Sequence, residues 1–143
     1  MQPVAEIREF MQSLFRHVGM LNKDSAECDD LSVIQSQIIY ELGKHDGFSL
    51  MDLSNCLLIE SSSLSRHVQS LVERALVSRY PDPKDRRYVV LSLTPAGVKT
   101  RESVSRVIDE RVEQVWNAIP LDERENVLRC VHVLSKAITE TFS

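Results

Sequence analysis

Apolar residues recur at three- and four-residue intervals along most of the chain, the spacing of amphipathic helices. Ile7, Phe10, Met11, Leu14, Val18 and Leu21 share one face of a helix predicted over 4–22, and the polar run "NKDSAECDD" (22–30) interrupts the pattern. A second helix is expected from Leu31-Ser32. There Ser32 and Gln35 have capping-box spacing: a hydroxyl accepts from an orphan N–H while the glutamine reaches back. Val33, Ile34, Ile38, Ile39 and Leu42 form its buried stripe, and the turn residues "GKHDG" (43–47) stop it.

Ser49 and Asp52 repeat the capping pattern ahead of a short helix burying Leu50, Leu53 and Leu57. After a turn at Leu58-Ile59-Glu60, a helix over 61–73 sets Leu64, Val68, Leu71 and Val72 on one face. Two strands are predicted at 77–80 and 88–93, joined by "PDPKDRR" (81–87), with the prolines outside the strand interiors. Thr94-Pro95 reads as a cap followed by proline at the first helical position. The helix that follows, 95–118, carries Val104, Ile108, Val112, Val115 and Ile119 on one seam until Pro120 breaks it. Asp122 and Glu125 suggest another capping box, opening a last helix with Val127, Leu128, Val131, Leu134, Ile138 and Phe142. The predicted class is mainly α with a small β-hairpin wing. A winged helix-turn-helix at 31–97 is flanked by an N-terminal dimerisation helix and linker (1–30) and C-terminal dimerisation helices (98–143).

Composition narrows the setting. The chain has 143 residues, 43% hydrophobic and 27% charged, as expected of one ordinary globular domain. No apolar run approaches the roughly 18 residues of a membrane span, and the N-terminus lacks the pattern of a secretory signal. Three widely spaced cysteines, Cys28, Cys56 and Cys130, form no CxxC or zinc pattern, so a reducing cytoplasm is the expected location. Cys130 lies beside the apolar stripe of the last helix and is expected to pack there. The net charge of −4 is unevenly spread: −5 over 1–59, +2 over 60–98 and −1 over 99–143. A local basic patch on an acidic protein still grips phosphates, because screening confines the interaction to about 8 Å in physiological salt.

That basic middle carries the most specific pattern. Leu53-Ser54, Leu64 and the run "LVERALVSR" (71–79) are followed by "DPKDRR" and "LSLTPAG". This order resembles the MarR family of bacterial transcription regulators across nearly the whole chain. Its most specific part is Asp85-x-Arg87 followed by Leu93-Thr94-Pro95-x-Gly97. Two departures stand out: Ala75 replaces the glycine usual before the Leu-Val-x-Arg strand, and Leu58 sits where a turn glycine is common. The resemblance implies a homodimer on double-stranded DNA with a pseudo-palindromic operator. Half-sites about 10 bp apart, or a multiple of that, suit a two-fold pair of reading helices.

The DNA-contact candidates are Ser49, Ser61, Ser62, Ser63, Ser65, Arg66 and Gln69 around the 61–73 helix, with Lys84, Asp85, Arg86 and Arg87 in the wing. Short hydroxyls permit close approach to phosphates and base edges, and Arg66 is suited to a bidentate guanine contact. Prolines 81 and 83 stiffen the wing, and Asp85 is placed to brace a neighbouring arginine for insertion into a narrow minor groove. His67 is expected to be partly packed. Relatives commonly bind small aromatic or other anionic effectors, for which Arg16, His17 and His45 are candidates here. Cys28 and Cys56 are the candidates for a thiol switch, an alternative to effector release; acidic neighbours of Cys28 argue against its activation. A winged-helix protein-interaction module is a further alternative, but the Ser- and Arg-bearing face of 61–70 is not apolar. No metal ligand spacing, cofactor loop or catalytic motif is present, so a non-enzymatic regulator is expected. The sequence reading is a homodimeric repressor released by a small molecule.

Overall fold

The computed structural model describes all residues, Met1–Ser143. In chain order the elements are α1 (Gln2–Glu27), α2 (Val33–Leu42), β1 (Phe48–Ser49), α3 (Leu50–Leu57), α4 (Ser61–Glu73), β2 (Val77–Pro81), β3 (Val89–Leu93), α5 (Pro95–Ala118), a 3₁₀ turn (Leu121–Glu123) and α6 (Arg124–Phe142). The chain divides into two compact units, Met1–Ile108 and Asp109–Ser143.

Local chemistry sets the boundaries in the first unit. At α2, Gln35 N–H donates to Ser32 Oγ at 3.1 Å, and Ser32 N–H donates to Gln35 Oε1 at 3.0 Å. The same reciprocal pair opens α3, between Ser49 and Asp52, at 3.0 and 3.2 Å. These caps occupy N–H groups that a helix start otherwise leaves unpartnered. Both glycine departures fall on left-handed backbone: Leu58, after α3, has φ 55°, and Ala75, after α4, has φ 58°. The turns are therefore the kind that glycine makes without strain, built here from L-residues at a cost of about 1–2 kcal/mol each. Ile38, Ile39, Leu42, Leu53, Leu64, Val68 and Leu71 are buried together with Val77 and Leu91 of the sheet. The core thus holds α4 by its apolar face and leaves the opposite face to solvent.

The wing sheet has three antiparallel strands in the order β1-β3-β2, not two. Arg79 lies opposite Leu91 and Pro81 opposite Val89, while Phe48 pairs with Leu91 on the other edge. A two-residue strand is too short to carry a periodicity, which is why β1 escaped the sequence pattern. Thr94 fastens the start of α5. Its hydroxyl donates to the Ala75 carbonyl at 2.6 Å and accepts from Gly97 N–H at 3.0 Å.

Two helix boundaries differ from expectation. The first helix does not end at the polar run but continues to Glu27, because Ser25 and Ala26 are buried there. Ser25 Oγ donates to the Val104 carbonyl of α5 at 2.9 Å, so the serine is an anchor, not a breaker. In the second unit, the Asp122/Glu125 capping box does not form. Asp122 lies inside the 3₁₀ turn, Glu123 N–H bonds the Pro120 carbonyl at 3.0 Å, and α6 starts without a side-chain cap. Arg124 secures that corner, donating from Nε to the Ile119 carbonyl at 3.1 Å with its guanidinium 5.0 Å from the Trp116 ring centre. Cys130 is exposed, contrary to the expectation that it packs.

Candidate nucleic-acid interface

The core-facing stripe of α4 turns Ser62, Arg66 and Gln69 outward, all exposed, while Ser61, Ser63 and Ser65 are half-buried at its sides. Glu60, at the N-cap, makes no side-chain capping bond, so no side chain satisfies the first-turn N–H groups. Free N–H groups at a helix start favour phosphate. Arg66 has no ion pair within the chain. Ser49 belongs to the preceding cap: its oxygen already accepts from Asp52 N–H, leaving the hydroxyl proton available to a phosphate. His67 is half-buried, as its place between the faces requires.

The wing has a defined internal geometry. Asp85 Oδ1 accepts from Arg87 N–H at 3.2 Å and Nε at 3.0 Å, and Oδ2 accepts from Nη2 at 2.8 Å. The Arg87 side-chain bonds, then its backbone N–H, hold the Asp85 carboxyl below its ordinary pKa, and Asp85 in turn raises that of Arg87. Sequence left open which arginine is braced; it is Arg87. Arg86 and Lys84 remain exposed with no ion pair. Asp82 Oδ1 accepts from Lys84 N–H at 2.9 Å, and Tyr88 N–H donates to the Asp85 carbonyl at 3.1 Å, so the loop is tied by its own backbone.

Two arginines outside the sequence-derived candidate set join these parts. Arg79 of β2 donates from Nη1 to Gln69 Oε1 at 2.7 Å, linking the wing sheet to the exposed face of α4. Arg74 donates to the Asp30 and Asp29 carbonyls at 3.0 and 3.1 Å, tying the end of α4 to the turn before α2. Arg79 was visible only as part of a motif; no periodicity indicates which neighbour a strand arginine reaches.

The family model for the MarR family matches residues 29–87, from the turn before α2 to the end of the wing loop. The matched residues carry α2, α3, α4 and the first strand and loop of the wing, and they are similar to the MarR family. The chain is 24% identical over 136 residues to the HTH-type transcriptional repressor MdtR of Bacillus subtilis, covering 94% of this chain and 85% of that protein. Among solved structures it is similar to a Staphylococcus aureus MarR in complex with salicylate and kanamycin, with TM-score 0.82, 19% identity, and 98% and 95% of the two chains covered. It is similar also to an S. aureus MepR mutant bound to an oligodeoxyribonucleotide, with TM-score 0.64, 19% identity, and 92% and 97% covered. At these identities the two structures speak for the fold.

The other candidates make no hydrogen bond, ion pair or ring contact with Ser62, Arg66 or Gln69. Arg16 and His17 are exposed on α1, with His17 Nδ1–H donating to the Ser13 carbonyl at 2.8 Å. His45 follows α2 and stacks on Phe48, ring centres 4.0 Å apart, with Nε2 3.9 Å from Glu41 Oε2. No hydrogen bond, ion pair or ring contact joins it to Arg16 or His17. Cys28 and Cys56 are exposed. Partial desolvation raises the Cys56 thiol pKa even though the residue is exposed, and the hydrogen bond and charge of Glu41 push it the same way. No helix is long and apolar enough to cross a membrane, and no cluster of three metal-ligating side chains is present.

Proposed function

We propose that this MarR-family regulator is a homodimeric, sequence-specific repressor that binds a pseudo-palindromic operator in the cytoplasm and is released by a small aromatic or anionic effector. The observation that carries it is one outward face. Ser62, Arg66 and Gln69 of α4 are exposed beside a wing whose Lys84 and Arg86 have no carboxylate partner. Such a face supplies base-edge contacts from the helix and phosphate or minor-groove contacts from the wing. The DNA-bound MepR mutant and the repressor named among the relatives support this reading, and the salicylate complex supports an effector.

Dimerisation is favoured by uncovered apolar surface. Ile7, Phe10 and Leu14 of α1 are each about half exposed, at 48%, 50% and 48%, and α6 has no buried residue at all. Stripes of this kind on a soluble protein mark an association surface. The Cys56 thiol is held toward its protonated form, which counts against a thiolate switch there.

The test is binding to operator fragments selected from the source genome, measured by fluorescence anisotropy across salt concentrations. Wild type should lose affinity steeply with salt, and Arg86→Ala should weaken binding and flatten that slope by about one. Sedimentation should report a dimer for both. Unchanged affinity in Arg86→Ala and Arg87→Ala alike, with the dimer intact, removes the wing from the mechanism.

A further inference from the structure

Gln69 follows Ser62 by two helical turns and Arg66 by one, so the three head groups stand on one exposed face of α4. Unlike Arg66, the Gln69 head group is held at both ends. Arg79 donates to its Oε1 at 2.7 Å, and its Nε2 donates to Glu73 Oε1 at 3.2 Å. A primary amide has two acceptor lone pairs and two N–H donors. These bonds use one of each and leave one acceptor and one donor. That remaining pair matches the N6 amino group and N7 of adenine in the major groove.

The two partners also fix which end is which. A guanidinium only donates and a carboxylate only accepts, so exchanging the amide oxygen and nitrogen breaks both bonds. Arg79 and Glu73 make no ion pair with each other.

Resting on the DNA-binding reading above, we propose that Gln69 is a pre-oriented adenine reader and that Arg79 and Glu73 are positioning residues that lock its amide. Locking lowers the entropy lost on docking and excludes the flipped amide, so it acts on discrimination more than on grip. Arg79 thereby gives β2 a part in sequence choice although it need not touch a base.

The experiment is selection of random-sequence duplexes on the full-length protein, followed by anisotropy titration of the selected site and its single-base variants. Wild type should show one adenine per half-site whose replacement weakens binding about tenfold or more. Gln69→Ala should abolish that preference and no other. Arg79→Met and Glu73→Ala should cut it to about threefold or less while other positions keep theirs. Glu73→Gln, which still offers an accepting oxygen, should restore it, and melting curves should match wild type for all four. A uniform loss in Arg79→Met on every sequence, with the adenine preference intact and the salt slope reduced by about one, makes Arg79 a phosphate contact and overturns the proposal. An adenine preference that survives Gln69→Ala overturns it as well. If wild type selects no sequence, the DNA-binding reading itself fails, an outcome seen before any variant is tested.

Discussion

Gly97→Ala is expected to damage this protein far more than one methyl suggests. Gly97 sits in the first turn of α5 with no positive φ, so the constraint is close approach, not backbone conformation. A Cβ there would overlap the Leu76 carbonyl oxygen outright, standing 3.1 Å from the Leu76 carbonyl carbon and 3.3 Å from Leu93 Cβ. Backbone cannot swing aside as a side-chain tip can, so the start of α5 must lift. Lifting it breaks Thr94 N–H to the Leu76 carbonyl, 3.1 Å, and the Thr94 hydroxyl to the Ala75 carbonyl, 2.6 Å. Two such bonds contribute about 1 kcal/mol each, and the overpacking adds about 1–3 kcal/mol. Alanine's better helix propensity returns about 1 kcal/mol, leaving a net loss of about 2–4 kcal/mol. Urea unfolding followed by circular dichroism, at fixed protein concentration because association shifts the midpoint, should show a decrease of about 1 M or more. Ala96→Gly, next door and exposed, isolates the propensity effect and should cost no more than about 1 kcal/mol. A Gly97→Ala midpoint equal to or above wild type refutes the close-approach reasoning.

Three other outcomes are expected. Leu58→Gly should raise stability by about 0.5–1 kcal/mol, since relief of the left-handed strain exceeds the added chain entropy and the side chain is 78% exposed; a lower urea midpoint contradicts this. Iodoacetamide should alkylate Cys56 at neutral pH more slowly than an unperturbed thiol, because partial desolvation and Glu41 raise its pKa, and Glu41→Gln should speed it. Faster reaction than free cysteine refutes that account. The lowered Asp85 pKa means its carboxylate and the Arg87 brace persist as pH falls through the ordinary carboxylate range and are lost only on passing the depressed value. Carboxyl NMR should show this low titration in wild type and a return toward the usual value in Arg87→Ala.

Where short-range chemistry decides structure, the sequence was legible. The Ser32/Gln35 and Ser49/Asp52 boxes, the Thr94 cap and the four-residue periodicity of α4 depend on residues a turn apart, and all appear in the structure. The glycine departures at Leu58 and Ala75 marked two of the three left-handed non-glycine positions, though they suggested a different turn where the backbone keeps the glycine-type one. Illegible features depended on distant partners. Ser25 looks like a helix breaker until Val104, on another helix, supplies its acceptor. Asp122 looks like a cap until the Pro120 corner tightens into a 3₁₀ turn around it. Of the candidate interface, the residue types on α4 were readable, but the Arg79 bridge to Gln69 joins a strand and a helix whose approach no local pattern encodes.

The Ser25 anchor bears on how motion travels along α1. The buried residues of this helix, Ser25 and Ala26, lie near its C-terminal end, while most of the preceding turns face solvent. A rod fixed near one end is a lever. Val4 lies about 30 Å along the axis from Ser25 at 1.5 Å per residue, so a 5° tilt at the pivot carries it about 3 Å. A disturbance too small to notice at the Ser25–Val104 bond is thus multiplied into a displacement the width of a methyl group's contact shell at the far end.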